Sequence, residues 1–281
     1  MKLSYEQLLS YDIPEVRQRY TERDAILYAL SVGVGQDPLD SHDLHYVDAR
    51  HGPKVLPSMA VILGYPGFWV SHPDIGADAV RLLHGEQGFE LFEPLPASGE
   101  VIGKTRVTEA VDKGEKGLLV YTEKELTDAA SGRRLARTFA THVLRGDGGM
   151  PGAPTQARPV ERIPDRAADT VMQIQTRPEQ ALLYRLNGDY NPLHSDPAVA
   201  ERAGYDRPIL HGLCTVGALT HALGKYAGAE HDAVRKLSLR FAGVIFPGEQ
   251  LELHIWKDGY FRMRVPGRDA VVIDNGCWEA G

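Results

Sequence analysis

Two stretches far apart in this chain read almost alike. "DAILYALSVG" begins at residue 24 and "QALLYRLNGD" at residue 180, an offset of 156, and they share Ala, Leu, Tyr and Leu at matching places. Each has apolar positions three and four apart, the spacing of a short amphipathic helix. Later, "PASGEVIGKTRV" (96–107) resembles "FPGEQLELHIW" (246–256). Each is a Gly-Glu turn followed by alternating, strand-like residues. Two matches in the same order predict a duplicated fold, against the alternative of a chance likeness between short amphipathic pieces. A chain of 281 residues has room for two such units. Residues 146–168, "GDGGMPGAPTQARPVERIPDRAA", are rich in Gly and Pro and mark the join. The predicted division is an N-terminal repeat over 1–150, a linker over 151–168 and a C-terminal repeat over 169–281.

Within each half the pattern predicts a short helix, a longer apolar helix and then several strands. In the second half the long helix begins near "ILHGLCTVGALTHAL" (209–223), apolar or small on most sides and therefore buried. The strands follow as "KLSLRFAGVIF", "QLELHIWKDG", "YFRMRVPG" and "AVVIDNGCWEA". A helix buried against consecutive antiparallel strands is an α+β plan.

Superposing the repeats at that offset sets Gly33 against Asp189, Gly35 against Asn191 and Pro38 against His194. One copy folds with no titratable group at these places, and the other has a polar trio inside "YRLNGDYNPLHSDP" (184–197). A purely architectural need would apply to both copies, so the trio points to chemistry. Asp189 and His194, five apart across a turn, can hold one water as an acid–base pair. Asn191 can hold the water or a substrate but cannot titrate. The competing reading is that Asp189 and Asn191 cap the turn or a following helix. In "RPILHGLC" (207–214), Gly212 stands near the start of the apolar helix, where backbone N–H groups lack intrahelical partners. Glycine lets a ligand approach closely, so this N–H is a candidate oxyanion donor; the alternative is a plain helix start. His211, His194, Asp189 and Asp196 raise the question of a metal, but no HExxH or Cys/His cluster accompanies them. Cys214 on a buried helix reads as core, not as a nucleophile.

Composition narrows the partners. The net charge of -7, with no basic run, argues against nucleic acid. No run of 18 apolar residues occurs, so no membrane span is expected. Two cysteines and an N-terminus without the look of a secretory signal fit a reducing, cytoplasmic setting. The C-terminal "WEAG" is not a Ser-Lys-Leu address. Neither GxxxxGK[ST] nor GxGxxG occurs, so no nucleotide loop is indicated.

The stretch "ALLYRLNGDYNPLHSDPAVAERAGYDRPILHGLCTVG" resembles the signature of the MaoC-like (R)-specific enoyl-CoA hydratases, the hydratase 2 family. "YTERDAILYALSVG", "LHGEQGFELFEPLPASG" and "VDKG" extend the likeness through the first half. The resemblance implies a double hot dog: two tandem repeats of antiparallel sheet wrapped around long central helices, paired as a homodimer. It implies reversible hydration of a trans-2-enoyl-CoA to the (3R)-3-hydroxyacyl-CoA, in fatty-acid or steroid side-chain β-oxidation, with no metal and no cofactor beyond the coenzyme A of the acyl-CoA thioester substrate. By resemblance Asp189 and His194 hold the water, Asn191 supports them and Gly212 N–H binds the thioester oxygen. Contacts to substrate fall on His84, Gly85, Lys113, Tyr190 and Phe241, with Lys113 suited to a phosphate of coenzyme A. The first repeat is expected to be non-catalytic and to accommodate the acyl tail. The chain departs from the family at Val47-Asp48, where Tyr-Glu is common, and at Met150 and Pro151 in a segment that usually contains Phe. Thioester hydrolysis and acyl-CoA binding without turnover are the competing functions.

Overall fold

The computed structural model describes residues 1–78, 81–228 and 234–281. Alternating apolar residues form ten strands: β1 (Val16–Tyr20), β2 (Leu82–Leu91), β3 (Gly99–Asp112), β4 (Leu118–Asp128), β5 (Arg134–Leu144), β6 (Thr170–Gln175), β7 (Val234–Phe241), β8 (Gln250–Ile255), β9 (Tyr260–Val265) and β10 (Ala270–Ala280). In β8 and β9 the alternation is sharp: Leu251, Leu253, Ile255, Phe261 and Met263 are fully buried while their neighbours face outward. The strands make one antiparallel sheet ordered β1-β3-β4-β5-β2-β7-β10-β9-β8-β6. Read outward from the central β2–β7 pair, both directions give the same neighbours shifted by five strands. This is the duplication expected from the sequence, and the two Gly-Glu strands, β3 and β8, occupy equivalent places. The fold is α+β, a double hot dog.

The helices are α1 (Tyr5–Leu9), α2 (Glu22–Ser31), α3 (Leu44–Val47), α4 (Gln180–Tyr184), α5 (Pro197–Arg202) and α6 (Gly212–Ala227). The similar stretches become α2 and α4, which pack on each other. Tyr28 and Tyr184, equivalent at the offset of 156, lie with ring centroids 6.3 Å apart. Asn187 Nδ2 donates to Ser31 Oγ at 2.9 Å across the same offset, |i−j| being 156. The likeness therefore marks a pseudo-two-fold contact. It slips by one residue just beyond. The left-handed glycines closing these segments are Gly33 (φ 103°) and Gly188 (φ 112°), so Val34 and not Gly33 corresponds to Asp189. Gln36 and Leu39 then oppose Asn191 and His194, and the first copy still lacks a titratable trio.

Helix α6 is the buried centre of the second repeat, with every residue from Cys214 to Gly224 buried. It packs against inward residues such as Leu237, Leu251 and Phe261. The expectation of a long helix in each half fails for the first. There, among the described residues, "PKVLPSMAVILGYPG" (53–67) forms only a 3-10 turn over Pro57–Val61. Gly64 at φ 60° and Gly67 at φ 73° break the helical path, and Pro66 removes a donor. Leu56, Met59, Ala60 and Leu63 are nevertheless buried, so the apolar content occupies the core without the helix. From β5 the chain crosses to β6 over residues 145–169 without helix or strand. Met150 in this segment is buried in the smaller core cluster with Leu8, Trp69 and Val107.

The repeats meet closely at α6. A Cβ on Gly217 would stand 2.4 Å from Val32 Cγ1 of the first repeat. Gly217→Ala is therefore expected to destabilise by about 1–3 kcal/mol, read by denaturant titration, and Val32→Ala in the same chain should recover part of that loss. Deeper along α6, Asp43 is 2% exposed. Its Oδ1 meets His221 Nε2 at 2.8 Å and Lys225 Nζ at 3.1 Å, and its Oδ2 accepts from Gly35 N–H at 2.9 Å. Asp40 adds a second carboxylate to Lys225 at 2.7 Å. A charged network thus ties the loop after α2 to the second repeat's helix.

Candidate active site

Two loops and the start of α6 build the site. After α4 the chain turns at Gly188, and Pro192–His194 forms a 3-10 turn. Local hydrogen bonds shape it: Asp189 Oδ1 accepts from Asn191 N–H at 3.2 Å and Asn191 Oδ1 from Leu193 N–H at 3.1 Å. The capping alternative is therefore present in the structure alongside the chemical one. Asn191 is exposed and spends its side-chain oxygen on the backbone, so its contribution is to shape the turn that carries His194. Asp196 caps α5 through Ala198 N–H at 2.8 Å.

His194 is half-buried, with Nδ1 2.9 Å from the carbonyl oxygen of Ile209. A carbonyl can only accept, so Nδ1 bears the proton and Nε2 presents a lone pair to the site. Burial pushes the His194 pKa down, and the Ile209 bond and the charge of Asp189 oppose it. His211 is the residue whose role the sequence did not disclose. It is 1% exposed and stacks on His194 with centroids 3.7 Å apart at 27°. Its Nε2 lies 3.2 Å from the Asp189 carbonyl oxygen. Burial first, and then repulsion from His194, hold its pKa near 4. The two rings thus favour each other's neutral form. Tyr184 closes the other side of His211 at 4.9 Å.

Ligand atoms of Asp189, His194 and His211 lie within 4.8 Å of one another. Burial pushes the Cys214 thiol up to about 12, and it faces Gln180 and the Ser31 carbonyl, as a core side chain would.

The residues expected from the first half divide into those near this site and those away from it. Gly85 is the bulge in β2 where the pairing with β5 shifts between His84 and Glu86. The bulge aims His84 at Phe241, centroids 4.9 Å apart. His84 is held near pKa 4 by burial, offset in part by hydrogen bonding to the Glu86 backbone and the Gln87 side chain and last by the Asp189 charge. The Phe241 ring in turn covers Gly212, where a Cβ would stand 2.9 Å from Phe241 Cε1. Gly212 opens α6 with no side chain capping the helix, so its N–H is free of an intrahelical partner. His84, Phe241, Gly212 and the Asp189–His194 pair therefore gather at one end of the sheet. Tyr190 is 58% exposed beneath the Arg185 guanidinium, 5.3 Å from the ring. Lys113 follows β3 at the same sheet end, with Nζ donating to the Thr155 carbonyl at 3.2 Å. Its strand lies three spacings from β2, roughly 14 Å. Asp48 is paired with Arg50, which holds it down at about 2, and it caps the turn Ala49–His51.

Residues 18–146 match the MFE-2 hydratase 2 N-terminal domain, and residues 159–274 match the MaoC like domain. The chain is 39% identical to the peroxisomal enoyl-CoA hydratase 2 of Arabidopsis thaliana over 285 residues, covering 95% of this chain and 92% of the plant protein. It is 40% identical to 3-hydroxyacyl-thioester dehydratase Y of Mycobacterium tuberculosis over 273 residues, covering 92% of each. Its structure is similar to that of a MaoC-like dehydratase from Phytophthora capsici, with a TM-score of 0.86, 32% identity and 99% of both chains covered.

Proposed function

The chain belongs to the MaoC-like hydratase 2 family, and on that footing we propose that it hydrates trans-2-enoyl-CoA reversibly to (3R)-3-hydroxyacyl-CoA, using Asp189 and His194 on one water. The observation that carries the assignment of roles is the Ile209 carbonyl on His194 Nδ1, which leaves Nε2 as the acceptor, in a ring that has a nitrogen within 4.8 Å of an Asp189 carboxylate oxygen. Water between them donates one hydrogen to each. A thioester oxygen at Gly212 N–H gains negative charge as the double bond is attacked, and losing one donor of this kind typically costs about 10²–10³ in rate. The water oxygen bonds to the β-carbon. Its proton passes to the pair and returns to the α-carbon on the same face, so the sum is one water added. His211 positions both partners by stacking on His194 and meeting the Asp189 carbonyl. Phe241 and His84 wall the thioester end, and Lys113 stands farther along for a phosphate of coenzyme A.

No cofactor enters this scheme. The proposal includes a homodimer, for which exposed Leu182 and Leu186 near the site supply an apolar surface; light scattering should give twice the 30.9 kDa chain mass. The acyl group is a fatty or steroid side chain of β-oxidation. Among the described residues no helix is long and apolar enough to cross a membrane, and a cytoplasmic setting is part of the same reading. The direct test follows loss of the conjugated thioester absorbance, with the product coupled to (R)- and (S)-specific 3-hydroxyacyl-CoA dehydrogenases. Response of the (R) enzyme alone is expected; thiol release without hydration would favour a thioesterase.

The depressed His194 sets the pH dependence. The base must be neutral, so kcat/KM should hold on the acid side until pH falls below the ordinary histidine value of about 6.5. His84 and His211 are also buried neutral. Below about 6.5 the unfolded chain binds protons that the folded chain refuses, so stability should fall as pH drops from there toward 4. An acid limb of kcat/KM above pH 7 would contradict this assignment of the base.

A further inference from the structure

The turn that carries Asp189 is tied to the other repeat. Asn187 ends the 3-10 turn Arg185–Asn187, two residues before Asp189. Its Nδ2 donates within its own repeat, to the Tyr184 carbonyl at 2.9 Å, and across to the first, to Ser31 Oγ at 2.9 Å. A carboxamide nitrogen has two hydrogens, so both are used. Ser31, at the equivalent place in the first repeat, donates its one hydroxyl hydrogen to the Tyr28 carbonyl at 2.7 Å. Tyr28 and Tyr184 are themselves equivalent, so the bonds to their carbonyls are the same bond made once in each repeat. Two serines would have no hydrogen left for the crossing bond. It exists because the second copy has an amide where the first has a hydroxyl.

Ser31 is a firm anchor for that bond. It is fully buried, its carbonyl accepts from Cys214 Sγ of α6 at 3.6 Å, and Val32 beside it packs on Gly217. From Asn187 the chain turns at Gly188, whose N–H donates to the Arg185 carbonyl at 3.0 Å. It is held again at Asp189, whose carbonyl oxygen lies 3.2 Å from His211 Nε2. The backbone at Asp189 is therefore fixed between a point on α2 of the first repeat and the start of α6. The Asp189 side chain lies on the exposed side of the turn and bonds within it, to Asn191 N–H. Its place relative to His194 depends on where that backbone is held.

An acid–base group works only within hydrogen-bond reach of the proton it moves, and small misplacements of a reacting group are costly. We propose that Asn187 is a positioning residue for hydration: through its bond to Ser31 it sets the Asp189 carboxylate against His194. The repeat that lacks the polar trio thus takes part in placing it. Both amide hydrogens of Asn187 are used inside the protein, so the role involves no contact with the acyl-CoA and belongs to turnover, not to binding.

This inference rests on the hydratase reading, and kinetics on a trans-2-enoyl-CoA separate the two. Asn187→Ser retains a hydroxyl for the Tyr184 carbonyl, as Ser31 does for Tyr28, and loses the crossing bond. It should lower kcat roughly three- to tenfold, the worth of one hydrogen bond, with KM within about twofold. Ser31→Ala should lower kcat similarly, and the double variant should be no slower than the slower single, because both remove one bond. In an Asp189→Asn background, Asn187→Ser should slow turnover no further, since no carboxylate is left to place. If Ser31→Ala does not fold, the pair of Asn187→Ser measurements, with and without Asp189→Asn, decides alone. Wild-type kcat in folded Asn187→Ser, a change in KM alone, or an undiminished loss in the Asp189→Asn background overturns the inference while the hydratase reading stands. A wild-type chain that hydrates no enoyl-CoA overturns both.

Discussion

Asp189→Asn is expected to lower kcat for enoyl-CoA hydration by about 10²–10⁴ with no measurable change in Tm. The substitution is nearly isosteric. The Asn side-chain oxygen can still accept the Asn191 N–H that Asp189 Oδ1 accepts at 3.2 Å, so the turn retains its internal bond. What disappears is a group able to take a proton from water. His194→Ala should cost as much activity but is the less clean test, because it also removes the bond to Ile209 and with it about 1 kcal/mol of stability. Near wild-type turnover in Asp189→Asn would remove the proposed acid–base pair.

Asp43→Ala should destabilise the protein by about 3–5 kcal/mol, the loss expected when one partner leaves a buried charged network. The substitution removes an oxygen from His221, from the Gly35 N–H and from Lys225, which keeps Asp40. Because these ties cross from the first repeat to α6, urea unfolding should show a lower midpoint. Burial alone would raise the Asp43 pKa, but the bond to His221, the charges of His221 and Lys225 and the Gly35 N–H together hold it well below the carboxylate range. The sign follows: a depressed acid stabilises fully above its unfolded value, about 3.9, and that share is lost as pH falls below it. In the variant, the part of acid denaturation that begins near pH 4 should shrink. An unchanged urea midpoint would show that the network contributes nothing net.

The duplication was legible because equivalent residues at equal offset touch in space, as Tyr28 does Tyr184 and Ser31 does Asn187. The strands of the second repeat were legible from their period of two. Asp189 and His194 stood out because the first copy lacks them. Three things were hidden. The missing helix of the first repeat was masked by apolar residues that the core uses anyway, although Pro57, Gly64, Pro66 and Gly67 were visible breakers. His211 looked like a helix-start residue, and nothing in its spacing says that it stacks on His194 seventeen residues earlier. A histidine immediately before the proposed oxyanion glycine was the one available signal. Lys124 and Asp43 reach partners far away in the sequence, and single-sequence periodicity carries no information about such pairings.

The most direct test of the central claim, that one water held by Asp189 and His194 supplies both added groups, is stereochemical. Hydration of a trans-2-enoyl-CoA in D2O, followed by NMR assignment of the product at both carbons, reads the face of each addition. The account predicts the 3R hydroxyl with deuterium at the α-carbon on the same face. Deuterium delivered to the opposite face, or scrambled between faces, would place the proton donor across the double bond from the water and contradict it.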